Sequence, residues 1–455
     1  MYTNPMIDLN FLKNKKVAVL GLAKSGLAAC RALSESSVNY VAWDDSEEKR
    51  KTCAADGIRI AKDMGDFLSN TDLVVLSPGI PHTLPKPHPF IASTKTKNID
   101  IKSDISLFRH ALPDAEIVSV TGTNGKSTTT TLMGHVLSKK LNTQIGGNIG
   151  IPALSLNGAK DVTVFEMSSY QTELTGDLNA HGVIWLNISP DHIDRHGSME
   201  GYVEAKKRIF ERNAGHGLAV IGVDDLYSKS VADEITARPD WTVITVSVER
   251  MLDKGISVID GQLYVDGEHQ IDVSKLPTLK GVHNHQNAAC VYGIARNLYD
   301  FSNEDILAQL MSFDGLAHRQ FVIGKRDNVT FINDSKATNF EATAKALSSF
   351  KNIFLIAGGQ AKEGGLSGIE DYRDRIAKIY LIGEAENAFA DFLDNKDFDY
   401  VRCGTLDKAA RVAFADAKSS KTPATILLSP ACASWDQYNS FEHRGAHFEE
   451  IVASL

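Results

Sequence analysis

The sequence has few cysteines and no long apolar run, and both shortages exclude classes of protein. Its five cysteines among 455 residues include no CxxC pair, which argues against a disulfide framework or a cysteine-rich zinc site and indicates reduced thiols. No stretch approaches the roughly 18 apolar residues of a membrane-spanning helix. Residues 1–16 lack the apolar core of a signal peptide. We therefore expect a soluble, cytoplasmic protein.

The chain also lacks an excess of positive charge. Its 57 acidic residues outnumber the 48 Lys and Arg residues, for a net charge of -9. Nucleic-acid binders and proteins of anionic membrane surfaces usually carry a basic excess, so both classes are disfavoured. Any anionic ligand must be held by local donors. No repeat of fixed period and no low-complexity segment is present, and at about 150 residues per domain the length suggests about three domains.

Short apolar runs alternate with helix-like segments along most of the chain, a pattern typical of parallel α/β sheets. One series of predicted strands begins at residue 17, a second at 117 and a third at 329. The proline-rich stretch 81–97 predicts an irregular loop, and residues 241–275 predict a small β insertion. The sequence thus predicts an α/β protein of three units, with domains at 1–103, 104–315 and 316–455.

The strongest functional motif is TGTNGKS at residues 121–127, between a predicted strand and a predicted helix. Its glycines allow the backbone to wrap a phosphate, and the helix start offers free N–H groups. Lys126 would reach the terminal phosphates, and the Ser127 hydroxyl would ligate Mg²⁺. Val120 replaces the first glycine of the general P-loop pattern. A plain glycine-rich turn is the alternative, but the combination favours nucleotide binding.

A weaker glycine-rich turn, Gly21 to Gly26, follows the first predicted strand. With Asp44 it resembles a dinucleotide fingerprint, but Ala23 stands at the middle glycine position, so a pyrophosphate is less easily approached. Lys24 in this turn is open to two readings, a contact to a pyrophosphate or a solvated cation.

Other polar residues follow predicted strands, where the ligands of parallel sheets bind. Glu166 suits Mg²⁺, a cation that prefers oxygen ligands. The run at 191–197 suggests a metal or catalytic edge, with a solvated loop as the more common alternative. The run at 205–210 by itself is typical of a solvated basic face. Polar runs at 333–339, 358–362 and 429–434 predict one shared site for carboxylate or phosphate groups. Cys432 has no identifiable base, so we expect a packing residue rather than a nucleophile.

Together these motifs resemble the Mur ligase family over nearly the whole chain. The motifs are TGTNGKST, GNIG at 147–150, EMSSYQ, DHIDRHG, HNHQN at 283–287, AHR at 317–319, NDSKATN and LSPACASWDQYNSFEHRG. The last two, with LSPG at 76–79, are most similar to the members that add D-glutamate. The resemblance implies a Rossmann-like N-terminal domain that binds a UDP-linked substrate, a P-loop ATPase-like central domain, and a Rossmann-like C-terminal domain that binds the incoming amino acid and closes on ATP.

The resemblance also implies an activity. It is the ATP-dependent addition of D-glutamate to UDP-N-acetylmuramoyl-L-alanine through an acyl phosphate, in peptidoglycan precursor synthesis. The implied cofactors are ATP, Mg²⁺ (two ions) and a CO₂-derived carbamate on Lys206, and a monomer is expected.

Site residues follow from the matching motifs. The implied catalytic residues are Lys126, Glu166, His192 and Lys206, and the implied metal ligands are Ser127, Glu166, His192 and the Lys206 carbamate. The implied ATP contacts are Gly122, Thr123, Asn124, Gly125, Lys126, Ser127, Thr128, Asn284, Asn287, Arg319, Asp334 and Lys336. The implied substrate contacts are Ser25, Asp44, Ser77 and Gly79 at the uridine nucleotide, Asn148 and Ser168 near the muramoyl group, and Thr338, Lys362, Ser434 and Phe441 at D-glutamate.

Two departures from the family pattern, Lys24 in the N-terminal turn and Trp435, and three rival functions remain at this point. Trp435 follows Ser434 where the family has an aliphatic residue, which would reshape the amino-acid pocket. A folate polyglutamylating ligase would not explain LSPG or LSPACAS, a P-loop switch would not need Glu166, His192 and Lys206, and a nicotinamide dehydrogenase leaves TGTNGKS unexplained. The sequence does not distinguish D- from L-glutamate, because chirality depends on the geometry of the pocket.

Overall fold

Three sheets carry the strands of this computed structural model, which describes residues 7–213, 215–361 and 364–455. The predicted substrate residue Lys362 lies outside the described residues. The chain divides into two compact units, Met1–Lys275 with Val282–Ser312, and Leu276–Gly281 with Phe313–Leu455. Among the described residues, no helix has both the length and the apolar character needed to cross a membrane.

The first sheet has four parallel strands in the order β2-β1-β3-β4. Its strands are β1 Lys16–Leu20, β2 Asn39–Trp43, β3 Leu73–Leu76 and β4 Asp100–Lys102, and its helices are α1 Lys24–Glu35, α2 Glu47–Ala55, α3 Met64–Leu68, α4 Pro89–Lys97 and α5 Asp104–Ala111. The central strands β1 and β3 are apolar and buried almost throughout, as strands covered on both faces must be.

The second sheet has nine strands in the order β13-β12-β11-β10-β9-β8-β5-β7-β6. Its strands are β5 Glu116–Thr121, β6 Thr143–Gly147, β7 Val162–Glu166, β8 Gly182–Trp185, β9 Gly217–Gly222, β10 Trp241–Ser247, β11 Ile256–Ile259, β12 Gln262–Val265 and β13 Glu268–Asp272. Its helices are α6 Lys126–Leu137, α7 Ser169–Leu174, α8 Ile193–His196, α9 Met199–Lys207, α10 Leu226–Thr236, α11 Val282–Leu298 and α12 Asn303–Ser312. In sheet order, the strands β6, β7, β5, β8, β9, β10 and β11 are all parallel, so their carboxyl ends lie at the same edge of the sheet.

The third sheet, in the second unit, has the order β14-β15-β19-β16-β17-β18. Its strands are β14 Phe321–Arg326, β15 Val329–Asn333, β16 Ile353–Gly358, β17 Ile376–Ile382, β18 Tyr400–Gly404 and β19 Ala424–Leu428, and its helices are α13 Phe340–Ser349, α14 Glu386–Asp394, α15 Leu406–Lys418 and α16 Phe441–Ser454. Only β14 is antiparallel to its neighbour among these described strands. Short 3₁₀ turns occur at Asn10–Leu12, Ala153–Ser155, Arg208–Phe210 and Ile369–Arg375.

Local sequence explains where many helices begin. In the part of the chain that the structure describes, side-chain oxygens of Ser, Thr, Asp or Asn accept a backbone N–H at the starts of nine helices, an interaction that stabilises a helix N-terminus. These capping residues are Ser46, Asp63, Ser103, Ser168, Ser198, Asp225, Asn339, Thr405 and Ser440. The first two sheets share one buried core, in which Leu33, Phe108 and Leu154 all take part.

The predicted α/β class is confirmed, but two local predictions were wrong. The predicted loop 81–97 contains α4, which begins at Pro89, a position where proline's missing N–H has no partner to lose. Residues 241–275 are not a separate insertion, because β10 pairs with β9 over six residues and extends the second sheet. The domain boundaries near 103 and 316 stay predictions.

Candidate functional site

The glycine-rich loop lies between β5 and α6 and depends on its glycines. Gly122 and Gly125 have φ values of 148° and 84°, in a range that L-residues rarely adopt. A Cβ on Gly125 would lie 2.5 Å from Asn287 Oδ1, and one on Gly122 would lie 2.9 Å from the Leu186 Cβ. Both positions therefore require glycine for conformation and for space.

Asn187, which sequence reasoning did not single out, holds the loop from the end of β8. Its carbonyl accepts from the Thr123 N–H at 2.8 Å, and its side-chain oxygen accepts from the Asn124 N–H at 2.9 Å. The Thr123 hydroxyl also lies 3.1 Å from the Tyr202 hydroxyl. The signal for Asn187 was its place at a strand end beside the P-loop motif.

Lys126 is the first residue of α6, and its ammonium lies over the loop. Its Nζ donates to the carbonyl oxygens of Gly122 at 2.9 Å and Thr123 at 2.7 Å. Ser127 is buried beside it, and Thr128 is half-buried. The N–H groups of the first helical turn give this end a partial positive charge that suits an anion.

Lys206 is the second ammonium at this loop, and it is almost fully buried at 1% exposure. Its Nζ donates to Gly122 O at 2.9 Å and to Thr121 Oγ1 at 3.3 Å, and it lies 4.9 Å from the Tyr202 ring centroid. Among the described residues no carboxylate pairs with it at salt-bridge distance. Burial, followed by repulsion from the Lys126 ammonium, holds the Lys206 pKa well below its ordinary value. The expectation of a solvated face at 205–210 is therefore wrong for Lys206.

Glu166 ends β7 with its carboxylate buried at 2% exposure. Oε1 accepts from Asn148 Nδ2 at 2.6 Å, whereas Oε2 has no hydrogen-bond partner among the described residues. A buried carboxylate oxygen without a donor is costly unless a cation satisfies it. Mg²⁺ prefers such oxygen ligands, so this residue fits the predicted metal.

His192 lies in the loop before α8 with a φ of 52°. Its Nδ1 lies 3.1 Å from the Tyr170 hydroxyl, and its Nε2 lies 3.4 Å from Asp191 Oδ2. Within the described ranges no three His, Cys, Asp or Glu side chains are grouped as a metal site. The predicted ligand set contains only two such side chains, Glu166 and His192, and is compatible with that result.

The HNHQN motif lies at the start of α11, which belongs to the same unit as the loop. Asn287 Nδ2 donates to Asn284 Oδ1 at 3.1 Å, and Asn287 is also the residue that a Cβ on Gly125 would strike. Neighbouring Gln286 accepts from Asn187 at 3.3 Å. The structure thus brings the second predicted nucleotide motif against the first.

Two predicted substrate residues, Ser77 and Asp44, lie directly after strands of the first sheet. Ser77 Oγ, after β3, donates to Gly21 O at 3.0 Å, while Asp44, after β2, accepts from the Leu22 N–H at 2.8 Å. Burial opposes ionisation of Asp44, but bonds from the Leu22 and Ser46 N–H groups lower its pKa overall. Ser25, at the start of α1, is half-buried, and Gly79 and Lys24 are exposed.

In the second unit, Asp334 follows β15 and is 6% exposed. Ser429 Oγ donates to its Oδ2 at 2.7 Å and the Gln320 N–H to its Oδ1 at 3.1 Å. Burial nevertheless raises the pKa of Asp334 to about 7. The Lys336 ammonium lies 3.8 Å from the Phe441 ring centroid. The assignment of Arg319, Asp334 and Lys336 to the nucleotide stays a prediction.

Arg444 is a residue that sequence reasoning missed, although it lies in the quoted C-terminal motif. At 1% exposure it donates to Ser335 Oγ, to the carbonyls of Ser335 and Cys432 at 2.9 and 3.0 Å, and to Ala433 O. It therefore joins two predicted site loops. Cys432 is fully buried, and burial raises the pKa of its thiol to about 12. That is the packing role expected for it.

For Ser168, Thr338 and Ser434, the structure gives the burial or local contacts of the side chain but no indication of a ligand. Ser168 caps α7 in a reciprocal arrangement with Gln171. Thr338 is half-buried, and Ser434 is buried at 2% exposure. Trp435, directly after Ser434, is 64% exposed.

The chemistry of the first unit defines a class. Helix-start N–H groups and the side-chain nitrogens of Lys126 and Lys206 lie at a loop whose glycines suit a phosphate. A buried carboxylate oxygen of Glu166 has no hydrogen-bond partner among the described residues. These are the parts that enzymes use to transfer a phosphoryl group from a nucleoside triphosphate, so the fold and site define a P-loop enzyme built on parallel α/β sheets.

Comparison with known proteins identifies the family. Residues 120–295 match the Mur ligase middle domain. The chain is 46% identical over 454 residues to a UDP-N-acetylmuramoylalanine–D-glutamate ligase of Paramagnetospirillum magneticum, covering 99% of each chain. It is 42% identical to the protein of that name from Caulobacter vibrioides, covering 99% of this chain and 98% of the relative. The chain belongs to the Mur ligase family, whose members form amide bonds with ATP in peptidoglycan precursor synthesis.

Solved structures agree on the fold. UDP-N-acetylmuramate-alanine ligase from Thermotoga maritima matches with a TM-score of 0.61 at 18% identity, over 97% of this chain and 99% of that one. Folylpolyglutamate synthase from Mycobacterium tuberculosis matches with a TM-score of 0.56 at 16% identity, over 76% and 94% of the two chains. The predicted fold class and enzyme class are confirmed. Dependence on ATP and Mg²⁺ is general to this family.

Proposed function

We propose that this enzyme adds D-glutamate to UDP-N-acetylmuramoyl-L-alanine. The observation that carries the proposal is the 46% identity to a D-glutamate ligase over 99% of both chains. The similarity to folylpolyglutamate synthase is one of fold, at 16% identity, and favours no folate substrate. The cytoplasmic location and the monomeric state stay predictions.

The reaction needs two steps, because a free carboxylate is a poor acylating agent. First, a carboxylate oxygen of the alanyl group attacks the γ-phosphorus of ATP, the bond to the bridging oxygen breaks, and ADP leaves. Second, the amine nitrogen of D-glutamate attacks the acyl carbon, inorganic phosphate leaves, and the amine gives up a proton. No protein nucleophile is needed, so catalysis consists of positioning and charge neutralisation.

The P-loop residues would hold the ATP phosphates. The Lys126 ammonium, now on the Gly122 and Thr123 carbonyls, is close enough to the loop to turn toward the terminal phosphates. The N–H groups at the start of α6 add donors that are already oriented. We assign the remaining ATP contacts to Asn284 and Asn287 and, from the second unit, to Arg319, Asp334 and Lys336.

We assign two Mg²⁺ ions to Ser127, Glu166, His192 and Lys206 in its carbamate form. Bound Mg²⁺ would supply neutralisation of the charge that develops on the phosphate oxygens. The open Oε2 of Glu166 is the observation that supports this assignment.

The chemistry of its position supports a carbamate on Lys206. A buried ammonium that has no salt-bridge partner among the described residues tends to lose its proton, and the lowered pKa of Lys206 agrees with this. The neutral amine nitrogen then adds to the carbon of CO₂, a nitrogen–carbon bond forms, and a proton is released. The product carries carboxylate oxygens, which suit Mg²⁺ where an ammonium does not.

The substrates would bind along the strand ends. We assign the uridine nucleotide to Ser25, Asp44, Ser77 and Gly79, and the muramoyl group to Asn148 and Ser168. We assign D-glutamate to Thr338, Ser434 and Phe441, together with Lys362.

Phosphate release tests the substrate assignment. With ATP, Mg²⁺ and UDP-N-acetylmuramoyl-L-alanine, we expect release to depend on D-glutamate, with L-glutamate and other D-amino acids far less effective. Equal rates with L-glutamate, or release that depends on a pteroylglutamate instead of the UDP-linked substrate, would contradict the proposal.

Trp435 offers a prediction about the amino-acid end. Replacing it with alanine removes the exposed indole beside Ser434, and we expect the KM for D-glutamate to rise about tenfold, because apolar contacts in a pocket contribute on that scale. The KM for ATP should not change. Trp435→Leu, which restores apolar cover, is the matched control and should behave like the parent. An alanine variant with an unchanged KM for D-glutamate would show that Trp435 does not contact this substrate.

A further inference from the structure

Arg195 lies where residues from both sheets of the first unit meet. It belongs to α8, three residues after His192, and is 6% exposed. Its Nη2 atom lies 3.2 Å from Ile80 O and 3.3 Å from His82 Nδ1, both in the segment after β3. That segment directly follows Ser77 and Gly79, which we assign to the uridine nucleotide.

The same guanidinium also contacts α7 of the second sheet. Nη2 lies 3.4 Å from Glu173 Oε2, and the guanidinium carbon lies 5.0 Å from the centroid of the Tyr170 ring. The Tyr170 hydroxyl in turn lies 3.1 Å from His192 Nδ1. Arg195 therefore contacts the 80–83 segment, which follows the first sheet. It also contacts Tyr170, whose hydroxyl lies beside His192, a residue that we assign to the metal.

Glu173 completes the connection from the opposite side. Its Oε1 accepts from Thr83 Oγ1 at 3.0 Å and lies 3.4 Å from His82 Nε2. Arg195 donates to His82 Nδ1, so that atom is an acceptor and the proton of a neutral His82 lies on Nε2, facing Glu173. Arg195 and Glu173 bring one positive and one negative charge into one cluster, defined here as Arg195, Glu173, His82 and Thr83. Arg195 is buried, Glu173 and His82 are half-buried, and Thr83 is exposed.

Apolar packing fixes the start of the 80–83 segment, where Ile80 packs against the core of the first sheet, but it does less for the residues that follow. A cavity of about 350 Å³ lies beside it, lined among others by Thr83, Leu84, Glu173, Arg195 and Arg208. Leu84, next along the chain, is 45% exposed. Because close packing is what usually makes a connection rigid, His82 and Thr83, which lie beyond Ile80, depend more on the polar contacts of the cluster.

We propose that Arg195 is a positioning residue that sets the distance between the nucleotide end and the phosphoryl-transfer end of the substrate site. The inference rests on the proposed function, in which one elongated substrate contacts both sheets. A displacement of about 1 Å can slow a reaction by about 10²-fold. Lysine should be a poor substitute, because its side chain is shorter than that of arginine and carries no guanidinium. We expect its ammonium not to reach the position of Nη2, from which all three polar contacts are made, while keeping the contact with the Tyr170 ring.

The test compares ligands that contact one sheet with a ligand that contacts both. For Arg195→Met and Arg195→Lys we expect the affinities for UDP alone and for ATP alone to stay within about twofold of the parent. For UDP-N-acetylmuramoyl-L-alanine we expect kcat/KM to fall by about 10²-fold. Thr83→Val, which removes only the hydroxyl on Glu173, should show a smaller loss with the same selectivity. Arg208→Met is the matched control, since Arg208 lines the same cavity but binds Glu173 O and Glu211 instead of the 80–83 segment.

The outcomes separate this inference from the proposed function. A parent enzyme without D-glutamate ligase activity would refute the proposed function. An active parent whose Arg195→Met and Thr83→Val variants lose UDP or ATP affinity as strongly as substrate affinity would refute the positioning role. Unchanged kinetics in both would refute it too. If Arg195→Met fails to fold, Arg195→Lys and Thr83→Val decide the matter on the same criteria.

Discussion

Replacing Lys206 with alanine should abolish ligase activity almost completely while leaving the fold intact. Lys206 is buried at 1% exposure against the P-loop, with its Nζ on Gly122 O and Thr121 Oγ1. In the proposed function its carbamate supplies oxygens to Mg²⁺, and loss of a group that stabilises transition-state charge costs about 10²- to 10³-fold. Steady-state phosphate release measures the loss, and circular dichroism monitors the fold.

A short carboxylic acid should partly restore this variant. Formate or acetate carries the missing oxygens and fits the space that the lysine side chain leaves. Lys207→Ala is the matched control, because Lys207 is the next residue on α9 but forms ion pairs with Glu204 and Glu234 at 2.7 and 2.6 Å. Its activity should resemble the parent's, with no response to formate. An active Lys206→Ala enzyme, or equal stimulation of both variants by formate, would contradict the carbamate role.

Lys126→Ala is expected to leave less than about 1% of the parent activity, since one transition-state phosphate contact is commonly worth 10²-fold or more. The substitution removes an ammonium that donates to two loop carbonyls. It leaves the glycines and the Asn187 contacts that shape the loop, so thermal melting should change little.

Lys139→Ala is the control for Lys126, because Lys139 is an exposed lysine just beyond the other end of α6. It should retain full activity. Substantial turnover by Lys126→Ala in a folded enzyme would contradict the assigned phosphate contact. Formate should not rescue this variant, which separates its defect from that of Lys206→Ala.

Much of the fold was predictable because buried parallel strands are short apolar runs. The strands β1, β5 and β16 all have this character. The strand β6, with the sequence TQIGG, has little apolar character and was not predicted. It lies at the edge of the sheet, where pairing with β7 rather than its own composition makes it a strand. Likewise α4 was missed because its prolines suggested a loop, although Pro89 only marks the first turn.

The place of a candidate site residue was predictable where a motif is continuous in sequence: Lys126 and Ser127 lie at the start of a helix that follows a strand, as the motif indicates, and their roles stay predictions. The burial of a side chain was not predictable in the same way. Lys206 looked like part of a solvated basic face, but in the structure it is buried against the loop. Arg195 and Arg444 were quoted within motifs but not singled out. Their partners, such as His82 for Arg195 and Ser335 for Arg444, are more than 100 residues away in sequence, and one sequence does not show such pairings.

Oxygen transfer from the substrate tests the central claim most directly. UDP-N-acetylmuramoyl-L-alanine labelled with ¹⁸O in its alanyl carboxylate is incubated with ATP, Mg²⁺ and D-glutamate, and the products are examined by mass spectrometry. Reaction through an acyl phosphate predicts one ¹⁸O atom in each inorganic phosphate released, with the other label kept in the new amide. Label in AMP, or unlabelled phosphate accompanying amide formation, would contradict the account.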